Sequence, residues 1–151
     1  MLSMRAKYAL KALVYLAKVN DRGPVLIGDI AGSQKLPRKF LEQILLELKN
    51  LGVLKSRQGK GGGYFLAKPP DQIEMGHIVR VFNGPLALVP CVSVTAFEKC
   101  EECLDFAHCG IRRVMKKVRD VTAEILDGTT LEALAAIEAS ESDEASLMYF
   151  I

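Results

Sequence analysis

All four cysteines of the chain, Cys91, Cys100, Cys103 and Cys109, fall within the nineteen-residue stretch CVSVTAFEKCEECLDFAHC. They are separated by eight, two and five residues, and His108 stands beside the last. Thiolates are soft ligands that select zinc, iron-sulfur clusters or copper(I). A segment this short and this poor in periodicity cannot build a core of its own, so its order is expected to come from a ligand bridging the thiols. Ordinary buried thiols are a weaker reading, because Glu98, Lys99, Glu101, Glu102 and Asp105 surround them and predict a wet loop. Zinc sites usually carry two CxxC-like knuckles. Only one is present, Cys100 to Cys103, which tilts the reading away from zinc without excluding it. The same pair is also spaced to form a disulfide with no metal at all.

Other chemistry finds little support. The chain has two histidines, His77 and His108, and no serine, histidine and acid arranged as a triad. Its carboxylates fall mostly on predicted helix surfaces or in the tail, so an enzyme is not expected. GKGGGY at 59–64 has the glycines of a phosphate loop. It lacks the order of strand, Gly, four residues, Gly-Lys-Ser/Thr and helix that such a loop requires. A turn whose bare backbone can approach a phosphate strand accounts for it better. His77, alone on an amphipathic helix, is read as a surface or packing residue.

These residues need a scaffold, and 151 residues suffice for one domain, or a small domain with an appendage, without covalent staples. No secretory leader and no run of membrane-spanning length is recognised, so a cytoplasmic location is expected. In that reducing compartment clustered cysteines more often bind metal or do redox chemistry than form bridges. The net charge of +2 hides an uneven distribution. From 35 to 68, Lys35, Arg38, Lys39, Lys49, Lys55, Arg57, Lys60 and Lys68 face only Glu42 and Glu47, a local +6. Residues 138–151 carry Glu138, Glu141, Asp143 and Glu144 and no base. A concentrated basic segment in a mildly charged chain is the electrostatic footprint of a nucleic-acid binder.

Apolar spacing predicts a first helix over 4–19, ended by the turn DRGP, and a second from Ile27 to Ser33. A third, over 37–50, has Pro37 in its first turn and Gly52 at its stop. Val53 and Leu54, a flexible tip from Gln58 to Gly63, and Tyr64 to Leu66 form a predicted β-hairpin carrying Lys55, Arg57 and Lys60. Three helices followed by a hairpin make a winged helix-turn-helix. A fourth helix is predicted from Met75 to Phe82. After the cysteines, Ile111, Val114, Met115, Val118, Val121, Thr122 and Ile125 line one stripe of a long helix. Such a stripe needs a partner, and the same helix of a second subunit would supply the two-fold symmetry of a palindromic DNA site. The expected organisation is a mainly α fold with a small hairpin. It comprises a winged-helix domain at 1–84, a cysteine-rich metal loop at 85–109, a dimerisation helix with a short following helix at 110–138, and a flexible acidic tail at 139–151.

KYALKALVYLA at 7–17, FLEQILLELKNLGVLKSRQGKGGGYFLAKP at 40–69 and IEMGHIVRVFNGPLAL at 73–88, with a cysteine loop leading into a long helix, carry a family resemblance. Over about residues 2–137 the chain resembles the winged-helix transcription regulators of the IscR, NsrR, RirA and CymR type. The resemblance implies a homodimer that binds double-stranded DNA at a palindromic operator. It also implies a 2Fe-2S or 4Fe-4S cluster in the loop whose state alters DNA affinity. The cysteine pattern is most similar to the RirA-type arrangement, which makes Cys91, Cys103 and Cys109 the ligand candidates. Related regulators take a fourth ligand from a histidine at the place of Arg112, or from an aspartate at the place of Lys7. Here Cys100 is the substitute, with His108 or an exogenous ligand behind it. The same resemblance implies that Arg38, Lys39, Phe40 and Glu42 reach the groove, by base readout or phosphate contact. Lys55, Arg57, Gln58, Lys60 and Tyr64 belong to the wing, with Gln58 at the place of a minor-groove arginine. Two alternatives remain: a regulator switched by cysteine oxidation or zinc, and an interaction module docking an enzyme of sulfur metabolism.

Overall fold

The computed structural model describes residues 1–148, with side chains through residue 140. Among them are six helices and one hairpin: α1 (Met4–Lys18), α2 (Ile27–Gln34), α3 (Arg38–Asn50), β1 (Leu54–Arg57), β2 (Gly63–Leu66), α4 (Met75–Asn83), α5 (Gly110–Asp127) and α6 (Leu131–Met148). This is the mainly α winged-helix architecture that the periodicity predicts.

Helix α1 lies at the centre. Ser3 caps it by accepting from the Ala6 amide at 3.1 Å, and its N–H and hydroxyl donate to Asn83 Oδ1 and the Phe82 carbonyl at the end of α4. Ala6, Ala9, Ala12 and Leu13 are fully buried, with Leu10, Val14 and Leu16 nearly so. Small residues on that face let α2, α3, α4 and α6 all pack against one helix. Between α2 and α3 the chain reverses at Lys35, which holds a left-handed conformation (φ 52°). The Leu36 amide then donates back to the Ala31 carbonyl at 2.9 Å, and Leu36 is buried under the turn. Lys11 of α1 donates to the Gln34 carbonyl and closes the open end of α2.

The hairpin pairs Leu54 with Leu66 and Arg57 with Gly63 in antiparallel register. Its first strand is longer than predicted. Val53 stays outside it, and pairing continues to Arg57 because Leu54 and Ser56 point inward while Lys55 and Arg57 point to water. A third segment joins at one position: Val25 and Tyr64 exchange backbone hydrogen bonds of 2.9 and 2.8 Å. Gly63 (φ 140°) makes this approach possible, since a Cβ there would lie 2.3 Å from the Val25 carbonyl oxygen.

Helix α5 leaves the winged helix but is locked to it at its C-terminal end. Arg80 of α4 makes a two-pronged ion pair with Asp127, at 2.6 and 2.9 Å, above Gly76, where any side chain would strike the carboxylate. The Met75 amide donates to the Thr129 carbonyl, the Leu131 amide to the Ile73 carbonyl, and Leu131 is fully buried. Helix α6 then returns along α1, with Lys18 and Glu138 paired at 2.5 Å. It runs to Met148 rather than ending near 139, because SESDEASLM contains no glycine or proline to stop it. The expected flexible tail, 139–151, falls mostly on side chains outside the described residues. No side chain of α5 is buried; Ile111, Val114, Val118, Val121 and Ile125 stand exposed along one face.

The Asp127 hydrogen bonds to Arg80 hold its carboxyl below the usual carboxylate range, against the opposing effect of burial. The stability this adds is present above the unfolded value of about 4 and is lost as pH falls through the folded value. Both side chains are more than one-third exposed, so the pair is worth less than about 1 kcal/mol. Asp127→Asn should therefore lower urea stability at pH 7, and the gap to wild type should close as pH falls below the ordinary carboxylate range. A gap independent of pH would count against this role for the pair.

Candidate nucleic-acid interface and thiol site

Helix α3 buries Leu41, Ile44, Leu45 and Leu48 against the core and turns Arg38, Lys39, Glu42, Gln43, Leu46 and Lys49 to solvent. This is the face a recognition helix presents to a major groove. Arg38 Nε lies 3.4 Å from Glu42 Oε1, so the two side chains share a plane of approach one turn apart. Phe40 is less free than its place in the helix suggests, since its ring packs edge-on against Tyr8 of α1 at 5.8 Å. Gln43 was missed by the sequence reading, although the burial period of α3 places it beside Glu42. A glutamine on this face can bond an adenine edge with both ends of its amide.

The wing places Lys55, Arg57, Gln58 and Lys60 in the open, on the outer face and tip of the hairpin. Tyr64 does not join them. It opposes Ser56 on the inner face, and its ring packs against the core beside Val25.

The thiols lie between the end of α4 and the start of α5. Cys91 sits in a single turn of 3-10 helix, Pro90–Val92, and is only 6% exposed. Arg119 of α5 donates to the Val92 carbonyl at 2.5 Å and pins that turn to the long helix. Burial pushes the Cys91 thiol up, a hydrogen bond with the Cys100 thiol and its charge add to this, Arg112 pulls it back, and Cys109 contributes a smaller rise. Cys100 is exposed, and its carbonyl accepts from the Cys103 amide at 3.3 Å. Cys109 caps α5, its sulfur accepting from the Arg112 amide at 3.4 Å. The fold thus sets Cys100 and Cys109 where both act on the Cys91 thiol, and joins Cys103 to Cys100 by a backbone hydrogen bond. His108 faces away, 80% exposed and bonded to Asp105, whose carboxyl it holds low. His77 is exposed on α4, as expected of a surface residue.

Among the described residues no three of His, Cys, Asp and Glu converge on one metal ion. A zinc ion, bound at about 2.3 Å from each thiolate, would require the thiols to draw together. A thiolate-bound cluster does fit the residues present. The donors are soft, and Arg112 beside them holds a buried Nε–H with no acceptor among the described residues.

Comparison with known proteins agrees with this arrangement. The model of the Rrf2 family, described as an iron-dependent transcriptional regulator, matches residues 2–137. An rrf2-like helix-turn-helix regulator of Rhodobacter capsulatus is 40% identical over 139 residues, 90% of this chain and 93% of its own. The structure of CymR, the global cysteine regulator of Bacillus subtilis, superposes with a TM-score of 0.77 at 35% identity, covering 91% of this chain and 97% of CymR. IscR of T. potens superposes with a TM-score of 0.73 at 31% identity, covering 94% and 90%. With the family matched along nearly the whole chain and the winged helix in place, the protein belongs to the Rrf2 family of transcriptional regulators and is not an enzyme.

Proposed function

We propose that the protein is a homodimeric regulator that binds a palindromic DNA operator through α3 and the wing, and that an iron-sulfur cluster on the cysteine loop modulates this binding. The observation that carries the reading is the conjunction, in one small chain, of an outward basic α3 and wing with a four-thiol loop docked on α5. Helix α5 supports the dimer: its five exposed apolar side chains follow helical spacing, and covering them needs a second apolar face. A cluster held there would supply a centre sensitive to electrons, oxidants and small ligands. Arg119 fixes the turn that contains Cys91 to α5, and the Arg80–Asp127 pair fixes α5 to α4. A change in loop order therefore acts on the element that sets the spacing of two DNA-binding heads. A differential binding energy of about 1 to 3 kcal/mol between two such arrangements is sufficient for regulation.

A second reading has one specific observation in its favour. The Cys100 thiol helps to push the buried Cys91 thiol up, so the two act on one another, and a disulfide between them would be a metal-free switch on the same loop. CymR, a cysteine regulator by description, shares the fold.

Val118→Asp, at the middle of the α5 stripe, should convert the protein to monomers in sedimentation experiments. Its affinity for a palindromic site should fall by about tenfold or more. An unchanged dimer would remove α5 from the interface.

On a selected operator, Arg57→Ala and Lys60→Ala should weaken binding evenly across sequences and reduce the salt slope by about 1 each. Gln43→Ala should cost about 1 to 3 kcal/mol on the operator and little on random DNA. Equal losses on both DNAs would reduce α3 to a phosphate contact.

Protein purified without oxygen should show broad visible absorption with matched iron and sulfide, and each of Cys91→Ala and Cys109→Ala should abolish it. Colourless protein lacking iron and sulfide, with a Cys91–Cys100 disulfide forming on oxidation, would establish the thiol switch instead.

A further inference from the structure

Arg112 occupies the first turn of α5, three residues after Cys109, and is held there from two sides. Its amide donates to the Cys109 sulfur at 3.4 Å, and its guanidinium lies over the Phe106 ring at 4.1 Å. Phe106 is itself fixed edge-on by Phe97 at 6.1 Å and flanked by Lys99. This packing fixes the guanidinium plane and leaves Nε buried without an acceptor among the described residues. A buried charged donor with no partner is costly and calls for explanation. Arginine has no free lone pair and does not lose its proton in proteins, so it cannot be a metal ligand. Its place beside the thiols must serve some other purpose.

We infer that Arg112 is a positioning residue of the thiol site, whose buried Nε–H donates to a sulfur of the thiolate-bound cluster and whose fixed charge offsets that of the thiolates. The inference rests on the cluster reading given above. Its chemistry follows from charge: each electron added to a thiolate-held cluster makes it more negative, and a nearby fixed cation stabilises the reduced form more than the oxidised one. A hydrogen bond to sulfur acts in the same direction. Arg112 therefore raises the reduction potential of the centre and slows its loss.

The test compares full-length wild type with Arg112→Gln, Arg112→Lys and, as a control, Arg113→Gln, whose side chain is exposed on α5. All are purified without oxygen and assayed for iron, sulfide, melting temperature, midpoint potential and the rate at which a chelator strips iron. Arg112→Gln should keep the iron-to-sulfide ratio, since it removes no ligand. Its midpoint should fall by roughly 60 mV, a tenfold change for one electron, and iron should be stripped several-fold faster. Arg112→Lys, which keeps the charge but loses the Nε donor, should lie between Arg112→Gln and wild type, and Arg113→Gln should match wild type. An Arg112→Gln protein with wild-type midpoint and stripping rate overturns the inference while leaving the cluster in place. If Arg112→Gln does not melt cooperatively, Arg112→Lys decides by the same two measurements. Wild type without iron and sulfide overturns the cluster reading and this inference together.

Discussion

The architecture depends on the burial of α1. Three alanines, Ala6, Ala9 and Ala12, are fully enclosed, and their small size lets neighbouring backbones come close on several sides of one fifteen-residue helix. Larger side chains there would push away α2, α3, α4 or α6, because interiors are packed too densely to absorb extra methylenes. The positions of the recognition helix, the wing base and the return of α6 are therefore set together. Ser3 extends this control to α4, since the residue that caps α1 also bonds the last turn of α4.

From this centre the molecule separates its tasks by surface chemistry. The basic residues of α3 and the wing point outward, in keeping with phosphate affinity. The apolar stripe of α5 points away from the same core, and the cysteine loop lies at the junction of α4 and α5. Specific contacts tie α5 to both neighbours: Arg119 on the Val92 carbonyl of the loop, and Arg80 of α4 with Asp127 above Gly76.

Much of this was legible in the chain itself. Helices α1 to α5 and the hairpin follow from apolar spacing and from Pro37, Gly52 and the glycine run, all of which act through local backbone geometry and side-chain period. The basic segment and the thiol cluster are likewise written in the order of residues, and so was the family resemblance, which the match over residues 2–137 agrees with. Helix α6 runs to Met148 although its composition turns acidic after 137, because no glycine or proline breaks it. Tyr64 follows the basic wing residues in sequence, while the strand period sets it opposite Ser56 and partly against the core.

The sequence by itself determined which elements form and which kinds of chemistry they carry, since both depend on near neighbours along the chain. Only the tertiary structure decided which side chains meet. It buried Cys91 while leaving Cys100 exposed, joined Arg80 to Asp127 across 47 residues, bridged Val25 to Tyr64 over Gly63, and left the Nε of Arg112 enclosed against Phe106 without an acceptor among the described residues. These depend on the angles at which packed elements cross and on the close approach that a missing side chain permits. Neither is encoded at any single position of the chain.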